Sequence, residues 1–392
     1  MRNKKQLGQF FTTNSNYILS GLEKLVKDKN ITDPFAGGAD LILWAKKFGA
    51  KKTKGFDIDK AYVDNKTVFL HDSLLEPKAY EFVLTNPPYL NINKAYEKAK
   101  EKYFSKFSYE DLYQISLASI MNSEEGIVIV PINFLSAENS QSIRDVFFAK
   151  FEIIEMNYFK HQVFADTTYN VIAFYYKKKI DFFKNNFEIL THIYPDKSTI
   201  KIKLEKKYGW KIGGEFVCKI RNQENELGVY RLTEEMIEQS KGNIKLSAAH
   251  NHIDDRVDIS VSKDMAQLLQ SNIMLLKAID SGSEKGKIAI ENIKDYGVQC
   301  LISKPTSRHM IYLIFEQPIS IRQQKELAVL FNENLERLRK DYCSLFLTNY
   351  RDKDRKRISF DFVYKLVNYL YFTKIKKKIR QPNLLPFKLA YD

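Results

Sequence analysis

Glu81-Phe82-Val83-Leu84-Thr85-Asn86-Pro87-Pro88-Tyr89 is the stretch that most strongly indicates the fold of this chain. Its apolar first half predicts a buried strand, and the asparagine with two prolines ends that strand because proline donates no ladder hydrogen bond. A buried strand that runs directly into a stiff polar loop is typical of α/β sheets, in which ligands bind beyond the carboxyl ends of the strands.

Three earlier segments repeat this arrangement of a short strand followed by polar residues. One strand enters the glycine turn 33–38, a second ends at Asp57, and Val68-Phe69-Leu70 leads to His71-Asp72. Further strands are predicted at 126–130, 152–156 and 170–176, and helices at 16–28, 110–122 and 140–149. Strands that alternate with helices predict a doubly wound α/β sheet, which brings the polar strand ends to one edge.

The pattern changes after about residue 178. Residues 181–225 predict irregular β structure, and amphipathic helices are predicted near 322–341 and 360–372. We therefore expect a first domain over 1–215 and a mixed α+β domain over 216–392.

Charge and composition narrow the class of protein. The chain has 62 Lys+Arg against 48 Asp+Glu, a formal charge of +14 and a pI near 9.3, which favours a polyanionic partner or reflects a general lysine bias. It has no run of about 18 apolar residues and no apolar segment after its basic start, so neither a membrane span nor a signal peptide is predicted. Its three cysteines lie far apart, which is typical of reduced thiols in a cytoplasmic protein.

The loop Asn86–Tyr89 is suited to the methylation of an amino group. Pro87 and Pro88 fix two φ angles, so the loop can hold the amide oxygen of Asn86 and the carbonyl of Pro87 as two acceptors for one NH₂ group. Accepting both hydrogens favours a pyramidal nitrogen with an available lone pair, and Tyr89 offers a ring for stacking. The competing interpretation is an ordinary Asn-Pro turn.

The glycine turn and Asp57 are suited to a nucleoside ligand. The turn lacks both the dinucleotide GxGxxG spacing and the P-loop ending. Asp33 can bind an ammonium, Asp57 can accept both hydroxyls of a ribose, and Ile58 can pack on an adenine face. A Pro-Gly turn between strand and helix is also common without any ligand.

Taken in order, these motifs resemble those of a known family. Gly8-Gln9-Phe10-Phe11-Thr12, Asp33–Asp40, Asp57, Asp72 and Asn86–Tyr89 are similar to the gamma-group N6-adenine DNA methyltransferases, many of them from restriction–modification systems. Further likeness occurs at 111–113, 126–131 and 163–164. The resemblance implies a Rossmann-like methyltransferase domain dependent on S-adenosylmethionine, followed by a target-recognition domain.

The resemblance also implies a role for individual residues. Phe11 and Thr12 would flank the methionine part of the cofactor, Asp57 its ribose and Asp72 its adenine amine. Its amino-acid end would be lined by Asp33, Phe35 and Gly37. Asn86 and Pro87 would hold the target N6, while Tyr89 and Phe164 would contact the base, flipped out of the duplex. The sequence departs from the usual pattern at Ala39, where a second glycine is more common.

The expected partner is double-stranded DNA, bound by a monomer, with a cognate restriction endonuclease as a functional partner and no metal. Basic residues near the carboxyl end are predicted to contact phosphates: Arg351, Arg355, Lys356 and Arg357. The alternative is a solvated helix face and a charged tail.

Other functions remain open at this point. A glutamine-N5 protein methyltransferase, an RNA guanine-N2 methyltransferase or a cytosine-N4 methyltransferase could use a similar loop, and a DNA-binding specificity module would lack catalysis. Cytosine-C5 methylation is excluded because no cysteine follows a proline. Pro195-Asp196 with Glu205-Lys206-Lys207 imitates a nuclease motif, and His250 with His252 imitates metal ligands; both are interpreted as surface features.

Overall fold

The computed structural model describes residues 12–164, 170–280, 287–343, 347–349 and 356–376. Two compact units contain them. The first consists of the described residues up to Gly214 and the segment 347–349; the second consists of residues 215–343 and 356–376.

A nine-stranded sheet forms the centre of the described part of the first unit, in the order β3-β2-β1-β4-β5-β7-β6-β8-β9. Its strands are β1 (Asn30–Asp33), β2 (Lys52–Asp57), β3 (Val68–Leu70), β4 (Tyr80–Thr85), β5 (Ser123–Pro131), β6 (Phe151–Phe159), β7 (Val171–Lys178), β8 (Asn186–Tyr194) and β9 (Ser198–Glu205). Strands β1 to β5 pair in parallel, whereas β7 is antiparallel to both β5 and β6. The predicted doubly wound sheet is confirmed.

The helices of the first unit are α1 (Ser15–Ile18), α2 (Asp40–Lys47), α3 (Glu97–Lys102), α4 (Leu112–Ser119), α5 (Asn133–Ser136) and α6 (Gln141–Lys150). The predictions at 110–122 and 140–149 are confirmed by α4 and α6. The single helix predicted over 16–28 is wrong, because Gly21 adopts a φ of 87° and separates α1 from a 3₁₀ turn at Glu23–Leu25. Ile18, Leu22 and Val26 are nevertheless buried.

The expectation of irregular structure after residue 181 is also wrong in part. Residues 186–205 form the regular antiparallel hairpin β8–β9, and β8 joins the sheet in parallel beside β6. Buried and exposed residues alternate along β8, with Phe187, Ile189 and Ile193 on the buried side. This period of two is the signature of a strand with one face in the core.

The second unit is mixed α+β. Its elements and those at its limits are α7 (Gly214–Arg221), β10 (Val229–Arg231), α8 (Glu234–Gln239), β11 (Lys241–His250), β12 (His252–Val261), α9 (Lys263–Ser271), β13 (Met274–Lys277), β14 (Ala289–Asn292), β15 (Cys300–Ile302), β16 (Met310–Phe315), α10 (Ile321–Tyr342), β17 (Thr348–Asn349, in the first unit), β18 (Lys356–Arg357) and α11 (Phe360–Leu370). Two sheets have the orders β10-β16-β13-β14 and β12-β11-β15. The two predicted helices are confirmed by α10 and α11, and a capping box of Ser320 with Gln323 begins α10.

The two imitations of known motifs are explained by the fold. Asp196 lies in the turn before β9 and Glu205 at the far end of that strand, roughly 25 Å away at about 3.3 Å per residue, so the pair cannot share a metal. His250 and His252 face each other across the β11–β12 turn, and His250 Nε2 lies 2.7 Å from Glu234 Oε1. The described residues contain no group of three or more side chains that could hold a metal ion. In the same part of the chain, no helix combines the length and the apolar character that a membrane span requires.

Candidate active site

A cavity of about 280 Å³ opens at the carboxyl edge of the sheet, beyond the ends of β1 to β4. Nine residues singled out from the sequence line it: Thr12, Asp33, Phe35, Gly37, Asp57, Ile58, Asp72, Asn86 and Pro88. The fold brings these residues together because the ends of parallel strands meet at one edge. Ile58 is 47% exposed and presents an apolar surface in the wall.

Asp33 is a buried carboxyl group at the end of β1. Its Oδ1 accepts hydrogen bonds from the backbone N–H of Phe35 at 3.0 Å and from Thr85 Oγ1 at 2.6 Å. Burial raises the pKa of Asp33 to about 7, although both hydrogen bonds act in the opposite direction. Asp33 is therefore a carboxyl group that an approaching cation can ionise near neutral pH.

Asp57 organises the glycine turn from the neighbouring strand. Its Oδ2 accepts from the backbone N–H of Gly37 at 2.8 Å, and its Oδ1 accepts from the N–H of Asp59 at 2.7 Å. Burial raises the pKa of Asp57, while these backbone hydrogen bonds lower it. Each carboxylate oxygen keeps a second lone pair, so the group can still accept hydroxyl hydrogens from a ligand.

Ala39 shows how the departure from the usual glycine is accommodated. It adopts a φ of 65° at the start of α2, a left-handed conformation that costs an L-residue about 1–2 kcal/mol. We expect Ala39→Gly to raise the free energy of unfolding of the first unit by about 0.5–1 kcal/mol, since part of the relief is lost to the greater entropy of glycine in the unfolded chain. Denaturant unfolding of the variant measures this difference.

Ala45→Gly is the matched control. Because Ala45 lies inside α2, this variant should instead have a free energy of unfolding lower by about 1 kcal/mol. If Ala39→Gly were less stable than the wild type, the positive φ of Ala39 would not be a source of strain.

Asp72 is already engaged by protein side chains. Its Oδ1 accepts from the N–H of Leu74 at 3.2 Å, and its Oδ2 lies 2.7 Å from Lys102 Nζ and 3.2 Å from the hydroxyl of Tyr103. These contacts hold the end of α3 against the cavity. Asp72 is also the carboxylate that the resemblance predicts to bind the adenine amine of the cofactor.

The segment around α3 is a part of the site that local sequence patterns do not reveal. Tyr96, Ala99 and Tyr103 line the cavity. Phe104 packs there in a small apolar cluster with Leu74, Leu90 and Leu112, which also line the cavity. The local signal was a pair of tyrosines at positions 96 and 103, which flank the short helix α3. That signal gives no information about which strand end the helix covers.

Asn86 lies at the end of β4 with its side chain held at both ends. Its Nδ2 donates to Thr12 Oγ1 at 3.1 Å, and its Oδ1 accepts a short hydrogen bond from the hydroxyl of Tyr89. That hydroxyl also lies 2.9 Å from the carbonyl oxygen of Ile129 in β5. Asn86 is thus a fixed amide at the border of the cavity.

The aromatic residues predicted to contact a base are packed inward. Tyr89 is 2% exposed, and burial raises the pKa of its hydroxyl well above the ordinary value. Phe164 is likewise buried, and neither residue lines the cavity, nor does the buried Pro87. The expectation that Tyr89 offers an open ring is therefore corrected for this structure, because its hydroxyl is bonded to Asn86 and lies near the backbone of β5.

The predicted phosphate contacts are only partly described. Arg351 and Arg355 lie outside the described residues, as does Phe11. Lys356 is 3% exposed on β18, so the expectation that its side chain meets phosphate is corrected, whereas Arg357 is half-buried.

The strand order, with β7 reversed between β5 and β6, and the cavity at the carboxyl edge define a Rossmann-like fold of the S-adenosylmethionine-dependent methyltransferase type. Residues 4–164 match the model of the family described as Eco57I restriction-modification methylase, which is less than half of the chain. A search of the curated proteins gives no match.

Among solved structures, a candidate RNA methyltransferase from Pyrococcus horikoshii is 18% identical, with 46% of this chain and 91% of that chain covered and a TM-score of 0.36. The type I restriction enzyme EcoKI M protein is 15% identical, with 47% and 49% covered and a TM-score of 0.37. A type I restriction-modification methyltransferase subunit from Streptococcus thermophilus is 17% identical, with 47% of each chain covered and a TM-score of 0.33. The chain spans about half the length of these two type I proteins, and at such scores the likenesses transfer no activity.

Proposed function

We propose that this protein is a DNA methyltransferase that transfers a methyl group from S-adenosylmethionine to N6 of an adenine flipped out of double-stranded DNA, as the modification enzyme of a restriction–modification system. The observation that carries the proposal is the position of the Asn86 amide, which borders the cavity that Asp33 and Asp57 also line. The similarity of residues 4–164 to restriction-modification methylases supports it.

The groups that line the cavity fit the cofactor. Asp33 matches an ammonium and Asp57 a pair of ribose hydroxyls, because each is a buried acceptor at a strand end. Ile58 supplies an apolar surface for a purine ring. When bound, S-adenosylmethionine would supply an electrophilic methyl group on a sulfonium.

The protein's own contribution to transfer is to hold the acceptor nitrogen. The amide oxygen of Asn86 would accept one hydrogen of the target NH₂ group, and the carbonyl of the buried Pro87 would accept the other once the target base has entered the loop, so that the nitrogen lone pair could form the new bond to the methyl carbon. The S–C bond of the cofactor would break with its electron pair left on sulfur, and one N6 proton would be released to solvent. The tightening of these hydrogen bonds in the transition state is what would accelerate the reaction.

We further propose that the second unit recognises the DNA target and that the net charge of +14 contributes to phosphate binding. We propose a monomer, with a separate endonuclease as the functional partner.

The affinity for S-adenosylmethionine should depend on pH through Asp33. The raised pKa leaves this carboxyl neutral below about 7 and ionised above it, and only the ionised form pairs with an ammonium. We therefore expect the Kd to fall as the pH is raised from about 5.5 to about 7.5. Calorimetric titration at a series of pH values measures this trend.

Asp33→Asn serves as the control for that series. It should bind more weakly at the upper end and show little dependence on pH. A wild-type Kd that does not change over the range would remove Asp33 from the ammonium site.

The proposed function is tested by transfer of labelled methyl groups to unmethylated genomic DNA, followed by digestion and identification of the modified nucleoside. N6-methyladenine is expected. N4-methylcytosine would keep the reaction and change the base, while label found only in added RNA or in a translation release factor would contradict the DNA substrate. An absence of both transfer and cofactor binding would favour a DNA-binding module without catalysis.

A further inference from the structure

Thr12 connects the amino-terminal segment to the loop that carries Asn86. The two residues are 74 positions apart in the sequence, and Asn86 Nδ2 donates to Thr12 Oγ1 at 3.1 Å. Thr12 is 4% exposed and Asn86 9%, so water has little access to this hydrogen bond. The buried NH₂ group of Asn86 and the hydroxyl of Thr12 therefore depend on protein atoms for their hydrogen bonds.

From this geometry we infer that Thr12 is a positioning residue that fixes the orientation of the Asn86 amide. A side-chain amide carries its donor and its acceptor on opposite branches of one plane. With Nδ2 directed at Thr12, the oxygen branch points away from Thr12, where the hydroxyl of Tyr89 meets it. Thr12 and Tyr89 thus hold the two branches of one amide.

This role differs from the one that the resemblance gives to Thr12. Thr12 also lines the cavity, so a direct contact with the methionine part of the cofactor is the competing role. The inference rests on the proposed function for the meaning of the Asn86 orientation, but the hydrogen bond itself can be tested without any reaction.

Thr12→Val removes the acceptor and keeps the shape, whereas Thr12→Ser keeps the acceptor. In Thr12→Val the buried NH₂ group of Asn86 loses the Thr12 acceptor, and the amide is less firmly held in the orientation that faces the target. We expect the kcat for methyl transfer to fall about 10-fold to 100-fold, the Kd for S-adenosylmethionine to stay within about 2-fold, and Thr12→Ser to restore the kcat. In an Asn86→Ala background, Thr12→Val should lower the kcat little further, because both changes act through the side chain of Asn86.

A second readout does not depend on activity. The side-chain NH₂ resonances of Asn86, assigned by their loss in Asn86→Ala, should shift and exchange faster with water in Thr12→Val but not in Thr12→Ser. If they shift while the wild-type protein methylates no DNA, the positioning role stands and the proposed function fails.

Two results would overturn the inference. The first is a Thr12→Val variant with unchanged Asn86 resonances. The second is a variant that loses affinity for S-adenosylmethionine and keeps its kcat at saturation, which would make Thr12 a cofactor-binding residue instead.

Discussion

Replacing Asn86 by alanine is expected to lower the kcat for methyl transfer to DNA by about 10²-fold to 10³-fold, a loss comparable to that of a single transition-state hydrogen-bonding group in other enzymes. The expectation follows from the place of the amide, which borders the cavity and is held by Thr12 and Tyr89. The Kd for S-adenosylmethionine should stay within about 2-fold, because the amide acts on the target amine as the transition state forms.

Single-turnover transfer with labelled cofactor measures the chemical step, and equilibrium binding measures the affinity. Asn93→Ala is the matched control: this asparagine lies seven positions further on, is exposed and should behave like the wild type. An Asn86→Ala variant that keeps more than about half of the wild-type turnover would remove Asn86 from the reaction.

Replacing Asp57 by alanine is expected to raise the Kd for S-adenosylmethionine by about 10²-fold, which corresponds to about 3 kcal/mol. Two effects combine. The ligand loses a charged acceptor for its ribose hydroxyls, and the N–H of Gly37 loses the carboxylate that holds the glycine turn. Asp57→Asn keeps one acceptor oxygen, so its Kd for S-adenosylmethionine should lie between those of the wild type and Asp57→Ala.

Calorimetric titration gives the affinities, and DNA binding without cofactor should be unchanged. Glu81→Ala is the control, because Glu81 is an exposed carboxylate on β4 that does not line the cavity. If Asp57→Ala bound the cofactor as tightly as Glu81→Ala does, the ribose would have to be held elsewhere.

Much of the central sheet could be predicted from local patterns. Short apolar runs ending in Asp33, Asp57, Asp72 and Asn86 indicated four strands, and the structure has strands at these positions with their polar ends around one cavity. The prediction succeeds most clearly for β4, whose residues 82–85 form a continuous buried run that ends where the polar loop leaves the core. The hairpin β8–β9 was predicted only as irregular β structure, although isoleucine and leucine alternate with lysine over 200–204, which is the pattern of a strand with one exposed face.

Contacts between distant segments could not be predicted. The sequence shows that Asp72 is acidic and that Lys102 is basic, but it does not show that α3 folds back to join them. In the same way Tyr89 was a candidate for an open ring, and Lys356 a candidate for a phosphate contact. The structure buries both, since burial depends on which elements pack against a residue.

The sequence by itself determined where the strands end and which residue types lie there. Strand patterns and glycine or proline turns depend only on a few neighbouring residues. The tertiary structure alone decided how those residues are paired: Gly37 with Asp57, Thr12 with Asn86, and Lys102 with Asp72. Each of these pairs joins segments far apart in the chain. Their geometry is therefore set by the packing of the whole sheet and its loops rather than by local conformational preference.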